Sequence, residues 1–210
     1  MYTPRAFAEH DLQELDRLLA RDSFVTLITC EAGEPFVSHL PVLYSRNDDR
    51  VLIEGHWAKP NPQARHQGMA TLIVHGPHAY ISPGWYPDKE EASRVPTWNY
   101  AVAHLSGTLE VSDDEAFLAS IVDRLSQRHE AEVASDWRYE HERESHRSQL
   151  RGIIGFRFVP QRIELKFKLS QNHPMENVRS AAAELMQQPD SHSHEIAVLM
   201  LDRLARRTND

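Results

Sequence analysis

Polar aromatic side chains are concentrated in one proline-rich stretch, residues 80–100 (YISPGWYPDKEEASRVPTWNY). Trp98 and Asn99 lie near its end, where a run that alternates like a β-strand begins. Large amphipathic rings are costly to leave in water, and prolines prevent the segment from burying them in a helix. The rings can therefore stack on a planar heterocycle, with the Asn99 amide bonding to its edge, or they can close one end of the protein's own core.

A second candidate site lies in the segment AKPNPQAR, residues 58–65. Lys59, Asn61 and Arg65 surround two prolines that can start a single helical turn. An ammonium group beside the backbone N–H groups of such a turn can bind a phosphate without a glycine-rich loop. A solvated lysine is the competing interpretation.

The third candidate is KLSQN, residues 168–172, where a strand pattern ends. Lys168, Ser170 and Gln171 can be presented there to a ligand. The same side chains can instead cap the helix that Pro174 opens.

The thirteen histidines and the single cysteine form no recognisable catalytic or metal-binding pattern. No histidine has a companion cysteine or carboxylate at a known ligand spacing, and no nucleophile motif is present. Cys30, flanked by apolar residues, is typical of a small buried filler. The sequence therefore predicts no metal site and leaves the catalytic residues unknown.

The elements that must position these residues are mainly strands. Runs rich in β-branched and aromatic residues, separated by turn signals, predict six antiparallel strands, with Gly107 at a bulge or bend in the long strand 99–111. So many strands in a short chain would leave exposed edges unless the sheet closes at least partly. The pattern favours a mainly β protein, a six-stranded antiparallel barrel, with inserted and C-terminal helices.

Helical periodicity divides the rest of the chain. We expect a main domain at residues 1–172 with a helical insertion around 113–150, followed by a C-terminal helical extension at 173–210. The basic run RLARR, residues 203–207, falls on the last helix and is interpreted as a solvated face.

Composition excludes several classes of function. Lys and Arg number 23 against 31 Asp and Glu, so the net charge is −8, which argues against a dedicated nucleic-acid-binding domain. No apolar run approaches the ~20 residues of a membrane helix, and the first residues lack an export pattern. A lone cysteine makes no internal disulfide. We expect a cytoplasmic protein with no membrane association.

Five motifs together resemble the PaiB-like FMN-binding negative transcriptional regulators of bacteria. They are SHLPVL (38–43), HWAKPNPQAR (56–65), YISPGWYPDK (80–89), VPTWNY (95–100) and KLSQN (168–172). The resemblance extends over about residues 1–185, in the family's motif order. Two differences are Trp57, where the family pattern has leucine or alanine, and Lys59, where it has arginine. The lysine keeps the charge and loses bidentate oxyanion binding.

This resemblance implies a flavin-reductase-like split barrel that forms a homodimer and holds FMN at the subunit interface. The residues that it implies for cofactor binding are His39, Leu40, Lys59, Asn61, Arg65, Trp98, Asn99, Lys168, Ser170 and Gln171.

The implied residues divide by the part of FMN that they contact. Lys59 and Arg65 would hold the phosphate, and His39 and Leu40 would lie along the ring system. The VPTWNY motif would frame the isoalloxazine, and KLSQN would close the site, from the same chain or from its partner. The Trp85–Tyr86 pair would face the partner.

Three functions stay open at this point. The resemblance favours a negative transcriptional regulator or flavin-dependent sensor, although the acidic chain has no helix-turn-helix pattern to support direct DNA contact. An FMN-dependent oxidoreductase, of flavin-reductase or pyridoxamine-phosphate-oxidase type, and a haem-binding split barrel are the alternatives.

Overall fold

The computed structural model describes residues 1–209 and consists of antiparallel strands with five helices. In chain order the elements are β1 (Ala8–Glu9), α1 (Leu12–Arg21), β2 (Phe24–Glu31), β3 (Glu34–Pro41), β4 (Leu43–Asn47), β5 (Arg50–Ala58), β6 (Gly68–Ile81), β7 (Thr97–Ser112), α2 (Glu115–Glu132), α3 (Glu144–Arg147), β8 (Ile153–Lys168), α4 (Met175–Leu185) and α5 (Ser191–Asn209). Short 3-10 turns include Pro62–Arg65 and Pro83–Trp85. Within residues 1–209, no helix has the length and apolar character needed to cross a membrane.

Seven strands form one sheet in the order β3-β2-β6-β7-β8-β5-β4, and the short β1 pairs with β8. The mainly antiparallel architecture with inserted and C-terminal helices is confirmed. The strand count differs, because the sheet has eight strands rather than six. The sheet is also open, since β3 and β4 end the order and do not pair with each other among the described residues.

Two local features decide where strands end and where they continue. Val42 separates β3 from β4, and its backbone N–H bonds to the Ser23 carbonyl at 3.0 Å. Gly76 and Pro77, residue types that often form turns, lie instead inside the continuous strand β6. A Cβ atom at Gly76 would come within 2.7 Å of the Ala101 carbonyl oxygen, so glycine lets these two strands approach closely.

The chain separates into two compact units, here called the first unit and the second unit. The first unit contains residues 1–18, 75–103 and 164 onward, and the second contains residues 19–74 and 104–163. Buried apolar side chains of the first unit include Leu15, Ile81, Leu165, Val178, Leu185, Ile196 and Met200. Those of the second include Leu27, Ile53, Leu72, Leu109, Ile121, Phe156 and Phe158. The domain boundary at residue 172 stays a prediction.

The basic run on α5 is engaged within the first unit and is not simply a solvated face. Arg206 donates to the buried Glu14 carboxylate at 2.9 Å, and Arg203 forms an ion pair with Glu9. Arg207 donates to a backbone carbonyl. These contacts occupy much of the local positive charge that could otherwise attract an external phosphate.

Cys30, expected as a buried filler, is exposed. It lies near the end of β2, opposite Pro35 of β3, beyond the part of the strand that also pairs with β6. Cys30 therefore lies on a part of β2 that pairs with only one neighbouring strand, where side chains are more accessible to water.

Gly107 marks a close approach within the second unit, where a bulge or bend was predicted. A Cβ atom there would lie 2.1 Å from the Val159 carbonyl oxygen and 2.6 Å from the Pro160 Cα. Strand β7 continues through this position. Glycine is therefore required because a neighbouring backbone occupies the space of a side chain.

Gly107→Ala should lower the free energy of unfolding by roughly 3 kcal/mol, because one of the two backbones must move. Urea denaturation measures the change. Gly152→Ala is the matched control, since a Cβ there meets nothing within 4 Å, and it should stay within about 1 kcal/mol of the parent. Equal effects for both variants would contradict the close-approach explanation.

Candidate functional site

Three of the predicted site residues line one cavity in the first unit. The cavity has a volume of about 370 Å³ and is bordered by Arg94, Thr97, Asn99, Lys168, Ser170 and His173, among others. Its size lies within the roughly 300–1,000 Å³ typical of small-molecule sites. The polar lining can hold a ligand through hydrogen bonds.

A buried hydrogen-bond network forms one wall of this cavity. The Asn99 side chain is completely buried, and its amide donates to Ser170 Oγ at 2.9 Å and approaches Met200 Sδ at 3.3 Å. The Tyr86 hydroxyl lies 3.4 Å from the same Ser170 oxygen, and burial raises the pKa of Tyr86. Ser170 itself adopts a left-handed φ of 60°. The network joins β7, the end of β8 and the aromatic loop.

Two titratable groups of the cavity have pKa values below their ordinary ones. Burial, with a smaller contribution from the nearby Lys166 charge, lowers the pKa of Lys168, whose ammonium donates to the Trp98 carbonyl at 2.9 Å and to the Thr97 hydroxyl. Burial also lowers the pKa of His173, and the Arg94 charge adds to that effect. Such groups can exchange protons with a ligand more readily than fully solvated ones.

The loop that precedes β7 is fastened by a charged pair. Arg94 Nε donates to Asp88 Oδ1 at 3.0 Å, with a second contact between the same side chains, and Asn177 of α4 donates to Asp88 at 2.6 Å. These bonds, led by the one from Arg94, lower the pKa of Asp88 from 3.8 to about 2. The loop is thereby held against α4.

Trp98 and Asn99 do not share a cavity. Successive residues of a strand point to opposite faces, so Asn99 is buried while Trp98 is 53% exposed. Trp98 borders a separate cleft of about 580 Å³ together with His78, Tyr80 and Trp85. The strand pattern of residues 99–111 predicts this alternation of faces. The expectation that Trp98 and Asn99 contact the same planar ligand does not take it into account.

Tyr86 corrects the expectation that Trp85 and Tyr86 both face a partner chain. Tyr86 is 1% exposed and stacks on His173 with a centroid distance of 4.8 Å. It therefore fills the first unit's own core, while Trp85 stays partly accessible.

Gln171 uses its side-chain amide within the chain. Its oxygen accepts from the Leu169 N–H and its nitrogen donates to the Phe167 carbonyl. These bonds stabilise the end of β8. They do not cap α4, because the start of that helix at Pro174 receives no side-chain hydrogen bond.

The remaining predicted residues lie in the second unit. Asn61 caps the turn Pro62–Arg65 by accepting from the Gln63 N–H at 2.9 Å, and it donates to Ser38 at 3.0 Å. Lys59 and Arg65 are exposed, and neither side chain has a hydrogen-bond or ion-pair partner among the described residues.

His39 and Leu40 follow one another on β3. His39 is exposed, with its Nδ1 3.0 Å from the Thr26 hydroxyl, whereas the Leu40 side chain is buried in the second unit's core. A ligand on this surface can therefore reach the His39 ring, while Leu40 can contribute only its backbone.

Gln63 is an important residue that the sequence motifs contained without revealing its role. It is 1% exposed, and its amide nitrogen lies 3.1 Å from the Leu27 carbonyl, the Thr29 hydroxyl and the Phe36 carbonyl. Gln63 therefore ties the turn between Lys59 and Arg65 to strands β2 and β3. Arg94, Thr97 and His173 were also missed as cavity residues, because only tertiary contacts bring them to the KLSQN segment.

Comparison with known proteins adds a family to this geometry. Residues 1–162 match the family model described as "Putative FMN-binding domain". The chain is also 30% identical to the protease synthase and sporulation protein PAI 2 of Bacillus subtilis (strain 168), over 99% of this chain and 100% of the relative. The chain belongs to the PaiB-like family. The family match confirms FMN as the cofactor predicted from the sequence.

Solved structures similar to this PaiB-like chain share its fold. The flavocytochrome Anf3 of Azotobacter vinelandii superposes with a TM-score of 0.51 at 19% identity, covering 79% of this chain and 72% of that one. A conserved hypothetical protein of Mycobacterium tuberculosis gives a TM-score of 0.51 at 14% identity, covering 83% and 94%. The predicted split-barrel class, with an open sheet, is confirmed.

Asp88 should make the PaiB-like fold sensitive to strong acid. Because its folded pKa is depressed, the stabilisation from its charged form is fully present above pH 3.8 and is lost as pH falls through about 2. Thermal unfolding midpoints of the parent and of Asp88→Asn, measured between pH 5 and 2, should therefore converge toward the acid end. Parallel curves would show that Asp88 does not titrate in this way.

The PaiB-like resemblance assigns Trp98 to the flavin, although Trp98 borders the 580 Å³ cleft and not the cavity of Lys168. If that assignment holds, Trp98→Ala should weaken FMN binding. The free energy of unfolding should change by no more than about 1 kcal/mol, because the exposed ring contributes little to the core. Asn99→Ala is the contrasting variant, expected to cost roughly 1–3 kcal/mol by breaking a buried hydrogen bond. Flavin titration and urea denaturation measure the two effects. Loss of folding in Trp98→Ala would assign that ring to the core.

Proposed function

We propose that this PaiB-like protein is a cytoplasmic FMN-binding homodimer that serves as a flavin-dependent sensor in negative regulation of transcription. The observation that carries the proposal concerns two exposed cations, Lys59 and Arg65, whose side chains have no hydrogen-bond or ion-pair partner among the described residues. They flank Gln63, whose buried bonds hold this turn in place. An isolated cation pair of this kind suits a dianionic phosphate. A contact between these cations and a phosphate would distinguish FMN from ligands that lack a phosphate.

The surroundings of Lys59 restrict where the phosphate can bind. Lys59 also borders a cavity of about 120 Å³ that is lined by Asp113, Glu115 and Arg151, among others. This cavity is below the usual size of a small-molecule site, and its two carboxylates oppose a phosphate despite Arg151, so the phosphate contact would be made outside it. Arg65 on the same turn is the second cation for that contact.

The polar cavity of the first unit offers charged and hydrogen-bonding groups of the kind that bind the polar edge of a flavin ring. Lys168 would hold positive charge near the polar edge of the ring, with its position fixed by the Trp98 carbonyl. Asn99 and Ser170 bond to one another, which orients both and keeps the wall rigid. When bound, FMN supplies a planar ring system capable of hydride transfer.

Exposed apolar side chains support the homodimer. Val95 of the first unit is 70% exposed, and Phe24, Val37 and Met69 of the second unit are each at least half exposed. Large apolar groups on a surface commonly mark an interface with another chain. A second copy is the partner that the split-barrel fold suggests.

The charge distribution supports an indirect effect on transcription over direct DNA contact. The net charge is −8, and the basic run of α5 bonds to Glu9, Glu14 and a backbone carbonyl. A DNA-binding surface needs accessible clusters of Lys and Arg. We therefore propose that the flavin state is communicated through a small ligand or a partner protein.

The second candidate is an FMN-dependent oxidoreductase acting on a small substrate. It is favoured by the 370 Å³ cavity, in which burial lowers the pKa of both Lys168 and His173. A lowered pKa makes the protonated form of each group a better proton donor to a substrate, as hydride transfer to many substrates requires.

The absorption spectrum of the purified protein, with mass spectrometry of any released ligand, tests the cofactor. A flavin spectrum with a dimeric mass by light scattering supports the proposal, and a Soret band without flavin replaces FMN by haem.

To separate sensor from enzyme, NAD(P)H oxidation and reporter expression are measured in the same variants. The regulatory role would be refuted if the protein shows FMN-dependent turnover, binds no promoter DNA in a salt-sensitive way and does not change reporter expression.

Lys59→Glu should weaken FMN binding by roughly tenfold or more, because it reverses a charge at the phosphate contact. Riboflavin, which has no phosphate, should bind the variant and the parent with nearly equal affinity. Arg138→Glu makes the same charge change at an exposed position outside the turn and serves as the control. Equal losses for FMN and riboflavin would remove Lys59 from the phosphate contact.

A further inference from the structure

The 580 Å³ cleft of the first unit shares no lining residue with the cavity that contains Lys168. Strand β6 contributes His78 and Tyr80, β7 contributes Trp98, and the turn Pro83–Trp85 contributes Trp85. The start of α5 and the link before it add His192 and Asp190. Side chains that are distant in the chain therefore converge on one opening.

Two of the rings stand nearly perpendicular at the surface of the cleft. The centroids of Tyr80 and Trp98 are 5.9 Å apart at an interplanar angle of 71°, and the side chains are 43% and 53% exposed. The two rings meet edge to face, and the ring faces that stay exposed can attract an organic ammonium group by cation–π interaction. Trp85 adds a third ring to the same lining.

The charge of the lining points in the same direction. Asp190 is the only carboxylate, and no Lys or Arg side chain is among the residues that line the cleft. Hydrogen bonds from Ser193 lower the pKa of Asp190, so its negative charge persists at neutral pH. A phosphate or carboxylate ligand would meet no countercharge here, whereas a cation would meet one.

A histidine pair lies beside the aromatic rings. His192 Nδ1 lies 3.3 Å from His78 Nδ1 and accepts from the His78 backbone N–H at 3.4 Å. The His78 ring also lies 6.1 Å from the Trp98 ring, centroid to centroid. The two imidazoles therefore bond to each other and extend the aromatic lining next to Trp98.

We propose that this cleft binds an organic cation, an ammonium compound with apolar substituents, against the exposed faces of the Tyr80 and Trp98 rings and on the side of the cleft that carries Asp190. The site differs from the proposed phosphate contact in the sign of its charge. The proposal therefore goes beyond the proposed function and stands or falls without FMN, although Trp98 is also a predicted flavin residue.

Benzyltrimethylammonium is a suitable probe, with benzyl alcohol as the neutral control and benzoate as the anionic one. Isothermal titration of the full chain, with and without FMN, should show binding of the cation at least about fivefold tighter than of benzyl alcohol, and no binding of benzoate. Equal affinity for the cation and the alcohol would overturn the proposal, because an apolar cleft alone would then explain binding.

Two substitutions test the residues, and neither belongs to the proposed flavin site. Tyr80→Leu and Asp190→Asn should each weaken benzyltrimethylammonium binding about threefold, by removing one ring or the carboxylate charge. Asparagine keeps the ability to cap α5, so Asp190→Asn should fold. Asp202→Asn removes an equal charge from an exposed position on the same helix and should leave the affinity unchanged.

Measurement of FMN affinity in the same variants separates this proposal from the proposed function. Normal FMN binding with weakened cation binding supports a distinct site. Unchanged cation affinity in both Tyr80→Leu and Asp190→Asn, with normal thermal unfolding, would show that the cation binds elsewhere and would refute the proposal.

Discussion

The buried hydrogen bond between Asn99 and Ser170 is the interaction on which the arrangement of the candidate site depends. An unsatisfied amide at a completely buried position would cost several times the net value of an ordinary hydrogen bond. Asn99 avoids that cost only when the end of β8 brings Ser170 to a distance of 2.9 Å. Ser170 adopts a left-handed backbone conformation, and the Tyr86 hydroxyl lies close to the same Ser170 oxygen. Both features are consistent with the need to keep that oxygen beside Asn99.

This constraint also determines which side chains reach the surface. With Asn99 directed inward, the alternation of β7 turns Trp98 outward, where it borders a different cleft. Lys168 then donates to the Trp98 carbonyl, so the backbone of the same residue helps to hold the ammonium at the polar cavity. One strand thus serves a polar cavity on one face and an aromatic cleft on the other.

The second constraint on function is which positively charged side chains are already paired with acidic groups of the same chain. Arg203 and Arg206 are paired with acidic side chains near the N-terminus, and Arg94 is paired with Asp88. Lys59 and Arg65, by contrast, have no such partners in the described part of the chain. Since desolvated or neutralised cations attract anions weakly, the exposed pair is the better candidate for the cofactor phosphate. This contrast is what makes a flavin-based function more consistent with the structure than binding of DNA.

The sequence by itself determined the mainly antiparallel fold, the major helices, the family and its cofactor, because these depend on local periodicity and on motifs that are contiguous in the chain. Only the tertiary structure decided that Tyr86 is buried, that Gly76 lies inside a strand and that Gly107 touches Val159. It also decided that Trp98 and Asn99 serve different cavities. These features arise from contacts between distant parts of the chain, where the burial of a residue depends on which backbone or side chain lies opposite, and no local pattern carries that information.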